Sequence, residues 1–225
     1  MKTSSLLAVL IALSAGLRAE TTRRTTGEAT RTENGVDWNA DHLWTGPNGA
    51  TGSAHTTGQG RKTENGRAWD STTTGTGPRG ETFTREGTGT ATKNGDGTVT
   101  IQRDWTRSTE SGNTVTGSSE TVVTRSEDGK SWETTGTING PRGTSQFTGS
   151  GSATRTDNGT TWTGTRSGEG PKGGTWSAET RGQSSRTENG RTWTSETSRE
   201  RERAEKPERK SRESKASRSR SGGKR

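Results

Sequence analysis

Arg186-Thr187-Glu188-Asn189-Gly190-Arg191-Thr192-Trp193 reads as a β-hairpin turn with an aromatic anchor: a cation, an Asn-Gly turn, and a tryptophan three residues past the glycine. The phrase returns as RTENGVDW from Arg31, KTENGRAW from Lys62, RSEDGKSW from Arg125 and RTDNGTTW from Arg155. Its tryptophans, Trp38, Trp69, Trp132, Trp162 and Trp193, are spaced by 31, 63, 30 and 31 residues, and Trp105 stands in the degenerate unit inside the double spacing. A fixed period of this length is the signature of a repeat architecture.

A second turn marker lies between the tryptophans: Gly46-Pro47-Asn48-Gly49, Gly77-Pro78-Arg79-Gly80, Gly140-Pro141-Arg142-Gly143 and Gly170-Pro171-Lys172-Gly173. Each unit therefore has two turns and two strands. Asn-Gly suits a type I′ turn, which needs positive φ at both central residues. Pro-x-Gly suits a three-residue loop whose glycine takes the left-handed position. With Asn94-Gly95-Asp96-Gly97 and Ser111-Gly112-Asn113, the turns predict about 12 antiparallel strands of roughly 10 to 13 residues.

Turn positions fix register. Taking Asn158-Gly159 as the loop sets Trp162 opposite Arg155, and the same rule sets Trp38, Trp69, Trp132 and Trp193 opposite Arg31, Lys62, Arg125 and Arg186. Such facing pairs predict cross-strand cation–π contacts of about 0.5 to 1 kcal/mol each. Across the Pro-x-Gly loops, Trp162 faces Gly182, Trp69 faces Gly89, Trp38 faces Gly58 and Trp44 faces Gly52, so each ring covers backbone that glycine leaves bare. Trp132 falls opposite Ser152 with a three-residue loop and opposite Gly151 with a four-residue one, which predicts a bulge or longer loop there.

Alternation puts tryptophan, phenylalanine and glycine on one face and threonine on the other. The threonine rows are similar to those of ice-binding β-solenoids, but Glu86 interrupts them, and the β-propensity of threonine accounts for the rest. Only 18% of the 225 residues are hydrophobic, and mean hydropathy is -1.23. A two-layer sandwich is thereby excluded. The expectation is an all-β antiparallel hairpin meander, forming an extended or rolled sheet, and the alternative is a largely disordered chain.

Residues 1–19 read as a secretory signal peptide, with Lys2, an apolar core from Leu6 to Leu13, and Leu17-Arg18-Ala19 as the cleavage site. The apolar run is too short to span a membrane. Residues 20–198 form the hairpin repeat region, and 199–225 a basic, disordered tail carrying 12 Lys or Arg against 5 Glu. The tail holds +7 of the net +8 and the signal +2, leaving the repeat region at −1. Localisation is therefore expected to be secreted, periplasmic or extracellular. No cysteine is present to staple the fold.

No catalytic set, cofactor motif or metal cluster emerges. His42 and His55 lie outside any metal-ligand spacing, and Glu33, Glu64, Asp157 and Glu188 are explained by turn position. The acidic loop at Asn94 lacks the further ligands of a calcium loop, and Asn158-Gly159-Thr160 matches a three-residue glycosylation sequon. The sequence thus points to a non-enzymatic repeat protein with a structural or adhesive role in the cell envelope or matrix, self-associating through sheet edges or aromatic faces. The alternative is a binding module for glycans or other anionic polymers. Its candidate binding residues are Trp38, Trp69, Trp132, Trp162 and Trp193 on the aromatic face and Arg218, Arg220, Lys224 and Arg225 in the tail, the latter as the handle for an anionic polysaccharide or cell surface. Nucleic acid is disfavoured because no aromatic residue interleaves the tail.

Overall fold

The computed structural model describes residues 21–46 and 48–202. Twelve antiparallel strands follow one another in the chain: β1 (Thr21–Arg31), β2 (Gly35–Thr45), β3 (Thr51–Thr63), β4 (Gly66–Thr76), β5 (Thr82–Lys93), β6 (Val99–Thr109), β7 (Thr114–Arg125), β8 (Gly129–Gly140), β9 (Gly143–Thr156), β10 (Gly159–Glu169), β11 (Thr175–Arg186) and β12 (Gly190–Arg201). β12 runs three residues beyond the expected end of the repeat region at 198. The leader over 1–19 and the tail from 203 onward lie outside the described residues.

The meander is neither extended nor merely rolled. β1 pairs with β12, from Thr21 opposite Arg199 to Thr30 opposite Gly190, and the sheet closes into a barrel. Closure removes both sheet edges and turns the aromatic face inward, where every tryptophan is half-buried, so a polar chain gains an interior without a second layer.

Stagger follows from the register. Stepping across hydrogen-bonded partners from Arg31 through Val36, Gly60, Trp69, Gly89, Arg103, Ser119, Gly136, Phe147, Gly168 and Trp176 ends on Arg201, two residues past the Arg199 that faces Thr21. Ten residues separate Arg31 from Thr21, so the offset is 12 residues, equal to the strand number. With a rise of ~3.3 Å and a strand spacing of ~4.8 Å, the strands tilt by about 35° around a backbone radius of about 11 Å. That radius leaves an open lumen where side chains are small.

The two kinds of turn sit at opposite ends. At the Pro-x-Gly end the expectation holds: Gly46 pairs with Ala50 and Gly170 with Gly174 across three-residue loops, and Gly49, Gly80, Gly112 and Gly173 have φ of 74°, 81°, 80° and 74°. The loop after Trp132 differs. Trp132 does face Gly151, but Gly140 pairs with Gly143, so the loop is the two residues Pro141-Arg142 rather than a longer one.

At the Asn-Gly end the expected register is wrong by two residues. Thr32 and Gly35 exchange hydrogen bonds, as do Thr187 and Gly190, so the two-residue loops are Glu33-Asn34 and Glu188-Asn189, and glycine already belongs to the next strand. Trp38, Trp69, Trp132, Trp162 and Trp193 consequently face Ala29, Gly60, Val123, Ala153 and Ser184 instead of cations. Nor are these type I′ turns, because no described non-glycine residue has positive φ. Glycine is required for another reason: a Cβ on Gly35, Gly66, Gly129, Gly159 or Gly190 would run into the carbonyl of Gly60, Ala91, Ala153, Ser184 or Ala29 on the neighbouring strand.

Ala40, Ala54, Val123 and Ala153 are the buried apolar residues that face the lumen. The outer face is threonine, serine and carboxylate, without the apolar band that lipid requires. Among the described residues no helix is long and apolar enough to cross a membrane.

Candidate functional site in the lumen

Because the stagger equals the strand number, one level of the barrel is reached by moving one residue per strand. Inward side chains at that level come from alternate strands, six to a layer. The register thus converts the repeat period into rings.

The outermost ring at the Asn-Gly end consists of Arg31, Lys62, Lys93, Arg125, Arg155 and Arg186, one cation from each odd-numbered strand. Turn carbonyls pin it: the backbone N–H groups of Arg31, Lys93, Arg155 and Arg186 donate to the carbonyls of Asn189, Asn65, Asp128 and Asn158 at 2.9 to 3.1 Å. Arg67, Lys130 and Arg191 add charge one layer down. Burial and the neighbouring Arg125, Arg191 and Arg103 lower the pKa of Lys130. The turn tips also bear carboxylates, including Glu33, Glu64, Asp157 and Glu188, so the cation excess deepens inward from the crown.

Beneath a layer of small residues lies a ring of Trp38, Trp69, Ile101, Trp132, Trp162 and Trp193. All five aromatic candidates of the sequence meet here. Each indole lies over a glycine of the adjacent strand: Trp38 on Gly58, Trp69 on Gly89, Trp132 on Gly151, Trp162 on Gly182, and Trp193 on Gly27 across the closing seam. With no side chain below, each ring flattens against the wall and turns a π-face to the lumen.

Six arginines occupy the layers further in: Arg23, Arg85, Arg103, Arg107, Arg166 and Arg199. Arg103 lies 5.7 Å from the Trp69 ring centre, Arg85 4.4 Å from Trp105, Arg107 4.0 Å from Phe83, Arg166 5.9 Å from Phe147 and Arg199 4.2 Å from Trp176. Cation–π contacts therefore exist, with other arginines than the ones the sequence indicated. Burial first, and then mutual repulsion, pushes Arg85 down to about 10; burial and Arg201 do the same to Arg199. Towards the Pro-x-Gly end the aromatic pairs Trp44–Phe83 and Phe147–Trp176 narrow the lumen.

His42, which the sequence left without a role, is buried in the inner wall. Its Nδ1 accepts from Arg23 at 2.8 Å, which leaves Nε2–H to donate to Thr56 at 2.8 Å. Burial, reinforced by Arg23, lowers its pKa to about 4, so it is neutral at physiological pH.

A cavity of about 500 Å³ runs from Lys130 and Arg191, past Trp132, Trp162 and Trp193, to Arg103 and Arg166. On the strands, 16 cations and no carboxylate occupy inward positions, whereas 12 carboxylates and three cations, Arg24, Arg61 and Arg181, point outward. The ion pairs Arg61–Asp70, Arg181–Glu196 and His55–Asp41 all lie outside. Charge is sorted by residue parity, a signal that was open to a sequence reading and that a segment-wise count averages to −1. Asp96 accepts from the Thr98 N–H and hydroxyl, and these bonds lower its pKa; it is a turn acceptor. No group of acidic or histidine residues among the described ones forms a metal site. Arg218, Arg220, Lys224 and Arg225 lie outside the described residues.

The chain is thus a twelve-stranded antiparallel barrel with a cationic, tryptophan-belted lumen. No family model and no curated protein matches it.

Proposed function

We propose that this is an exported, non-enzymatic binding protein that attaches to anionic glycans or related acidic polymers of a cell envelope or matrix through the mouth and lumen of its barrel. The observation that carries the reading is the sorting of charge over the tryptophan ring: inward positions supply cations and flat aromatic surface, while carboxylates face out. Indole faces suit the C–H faces of sugar rings, and the cation ring above suits their carboxylate or sulfate groups. The lumen supplies charge and surface rather than an acid–base pair. Its histidine is buried, and both ring nitrogens are engaged. Export rests on the leader read at Lys2 and Leu6 to Leu13. An adhesive role follows from such binding, whereas a scaffold built by edge pairing loses its basis once β1 and β12 are joined.

Titration of the full chain with a sulfated or uronate oligosaccharide, read by tryptophan fluorescence, tests this. A saturable change that weakens with salt is expected, with no response to a neutral oligosaccharide of equal length. An equal response to both, or none to either, would contradict the reading.

A further inference from the structure

In the mouth, the turn-tip carboxylates Glu33, Glu64, Asp157 and Glu188 accompany the cation ring; the inner arginines have no such neighbours at inward strand positions. Arg23, Arg85, Arg103, Arg107, Arg166 and Arg199 fall within five successive layers, and no inward strand position offers them a carboxylate. Arg23, Arg103 and Arg166 are exposed towards the lumen and Arg85, Arg107 and Arg199 are half-buried, and crowding like charges without a counter-charge is costly. The same layers carry Gly117, Gly136 and Gly168, which seat the rings of Trp105, Phe147 and Trp176 against the wall, and Gly149, which seats the stem of Arg166. The Nε atoms of Arg107 and Arg199 are buried without a hydrogen-bond partner. His42 engages Arg23 through Nη2 at 2.8 Å. The cavity that opens at Lys130 and Arg191 reaches Arg103 and Arg166.

We infer that Arg103 and Arg166, which line the cavity, form an oxyanion site beneath the tryptophan ring, built for a phosphate- or sulfate-class group, with the other inner arginines adding to its positive field. The group arrives either as a free ion or as the leading end of an anionic chain that passes the tryptophan ring. A tetrahedral oxyanion matches the need, since its several oxygens accept from more than one guanidinium fork at once and its charge offsets the crowding. The chain-end source rests on the binding role proposed above; the free-ion source stands without it.

The experiment uses the whole protein at fixed ionic strength, exchanging chloride for sulfate or inorganic phosphate, with calorimetric titration and thermal denaturation as readouts. Saturable binding is expected, weakened at least tenfold in Arg103→Gln and in Arg166→Gln and unchanged in the outer-wall variant Arg24→Ala/Arg61→Ala. Should Arg103→Gln fail to fold, Arg166→Lys decides: it keeps the charge but loses the fork and is expected to bind several-fold more weakly. No saturable sulfate or phosphate binding, or equal binding by wild type and the inner variants, overturns the site. A sulfated oligosaccharide then separates the two readings. Binding that needs only Lys62 and Arg125, with none of inorganic sulfate, would leave the mouth and remove the inner site. Sulfate binding without oligosaccharide binding would do the reverse. Loss of oligosaccharide affinity in the inner variants identifies the chain end as a source.

Discussion

The lumen wall and the outer wall are made by the same twelve strands at alternating positions, yet they obey different rules. Inward positions hold every tryptophan, both phenylalanines and 16 of the 19 strand cations, spaced by glycine; outward positions hold threonine rows and the strand carboxylates. On the outer wall, threonine needs only to suit a half-exposed strand, and neighbours are interchangeable. On the inner wall each tryptophan has an assigned glycine vacancy on an adjacent strand. Specificity of fold therefore lives on one face, and the threonines that dominate the composition carry little of it.

The largest effect should come from filling an inner vacancy. Gly182→Leu puts a side chain where Trp162 lies and is expected to cost more than about 3 kcal/mol or prevent folding, measured by urea denaturation; the outward neighbour Thr163→Val should stay within about 0.5 kcal/mol. Equal costs would mean that the faces are not distinct.

The turn glycines sharpen the contrast at the two ends of β4. A Cβ at Gly66 meets the Ala91 carbonyl, whereas Gly80 has φ 81° and open space around it. Gly66→Ala is expected to cost about 2 kcal/mol or more, Gly80→Ala about 1 kcal/mol. Gly80→Asn should recover part of its loss because asparagine tolerates the left-handed region, while Gly66→Asn should be no better than alanine.

How much of this was legible follows from the same residues. The strand count, the turn positions, the face of each tryptophan and its glycine partner across the Pro-x-Gly loops could be read, because period two and a fixed loop length leave little freedom. The Asn-Gly register could not, since the rule for that dipeptide assumes positive φ, and here glycine serves close strand approach instead. A shift of two preserves the face, so parity survived while all five facing cations were misassigned. Closure is legible at the two ends of the repeat region. Trp193 has no following strand to supply its glycine and Gly27 has no preceding tryptophan, and the two meet across the seam. Alternation sets Arg85 and Arg103 on the aromatic face, but a charge summed along the segment hides that the other inward cations share that face.

An effect that appears only as pH falls concerns His42, the buried inner histidine. Its folded pKa of about 4 lies below the ordinary 6.5, so between these values the unfolded chain binds the extra proton. Its contribution to stability is complete above pH 6.5 and is lost as pH falls towards 4, a loss of about 2 kcal/mol after allowance for partial solvent access. Urea denaturation at pH 7 and pH 4.5 should show His42→Gln with a shallower decline than wild type; parallel declines would mean that His42 titrates normally.

The account depends most on closure, because only a closed sheet brings the cation and tryptophan rings together. Spin labels at Thr26 and Thr194, outward residues paired across the seam, read it directly by pulsed dipolar spectroscopy. A closed barrel predicts a separation below about 20 Å. An open meander places the same two strands eleven spacings apart, about 50 Å, and a distribution centred there would contradict the barrel and the site within it.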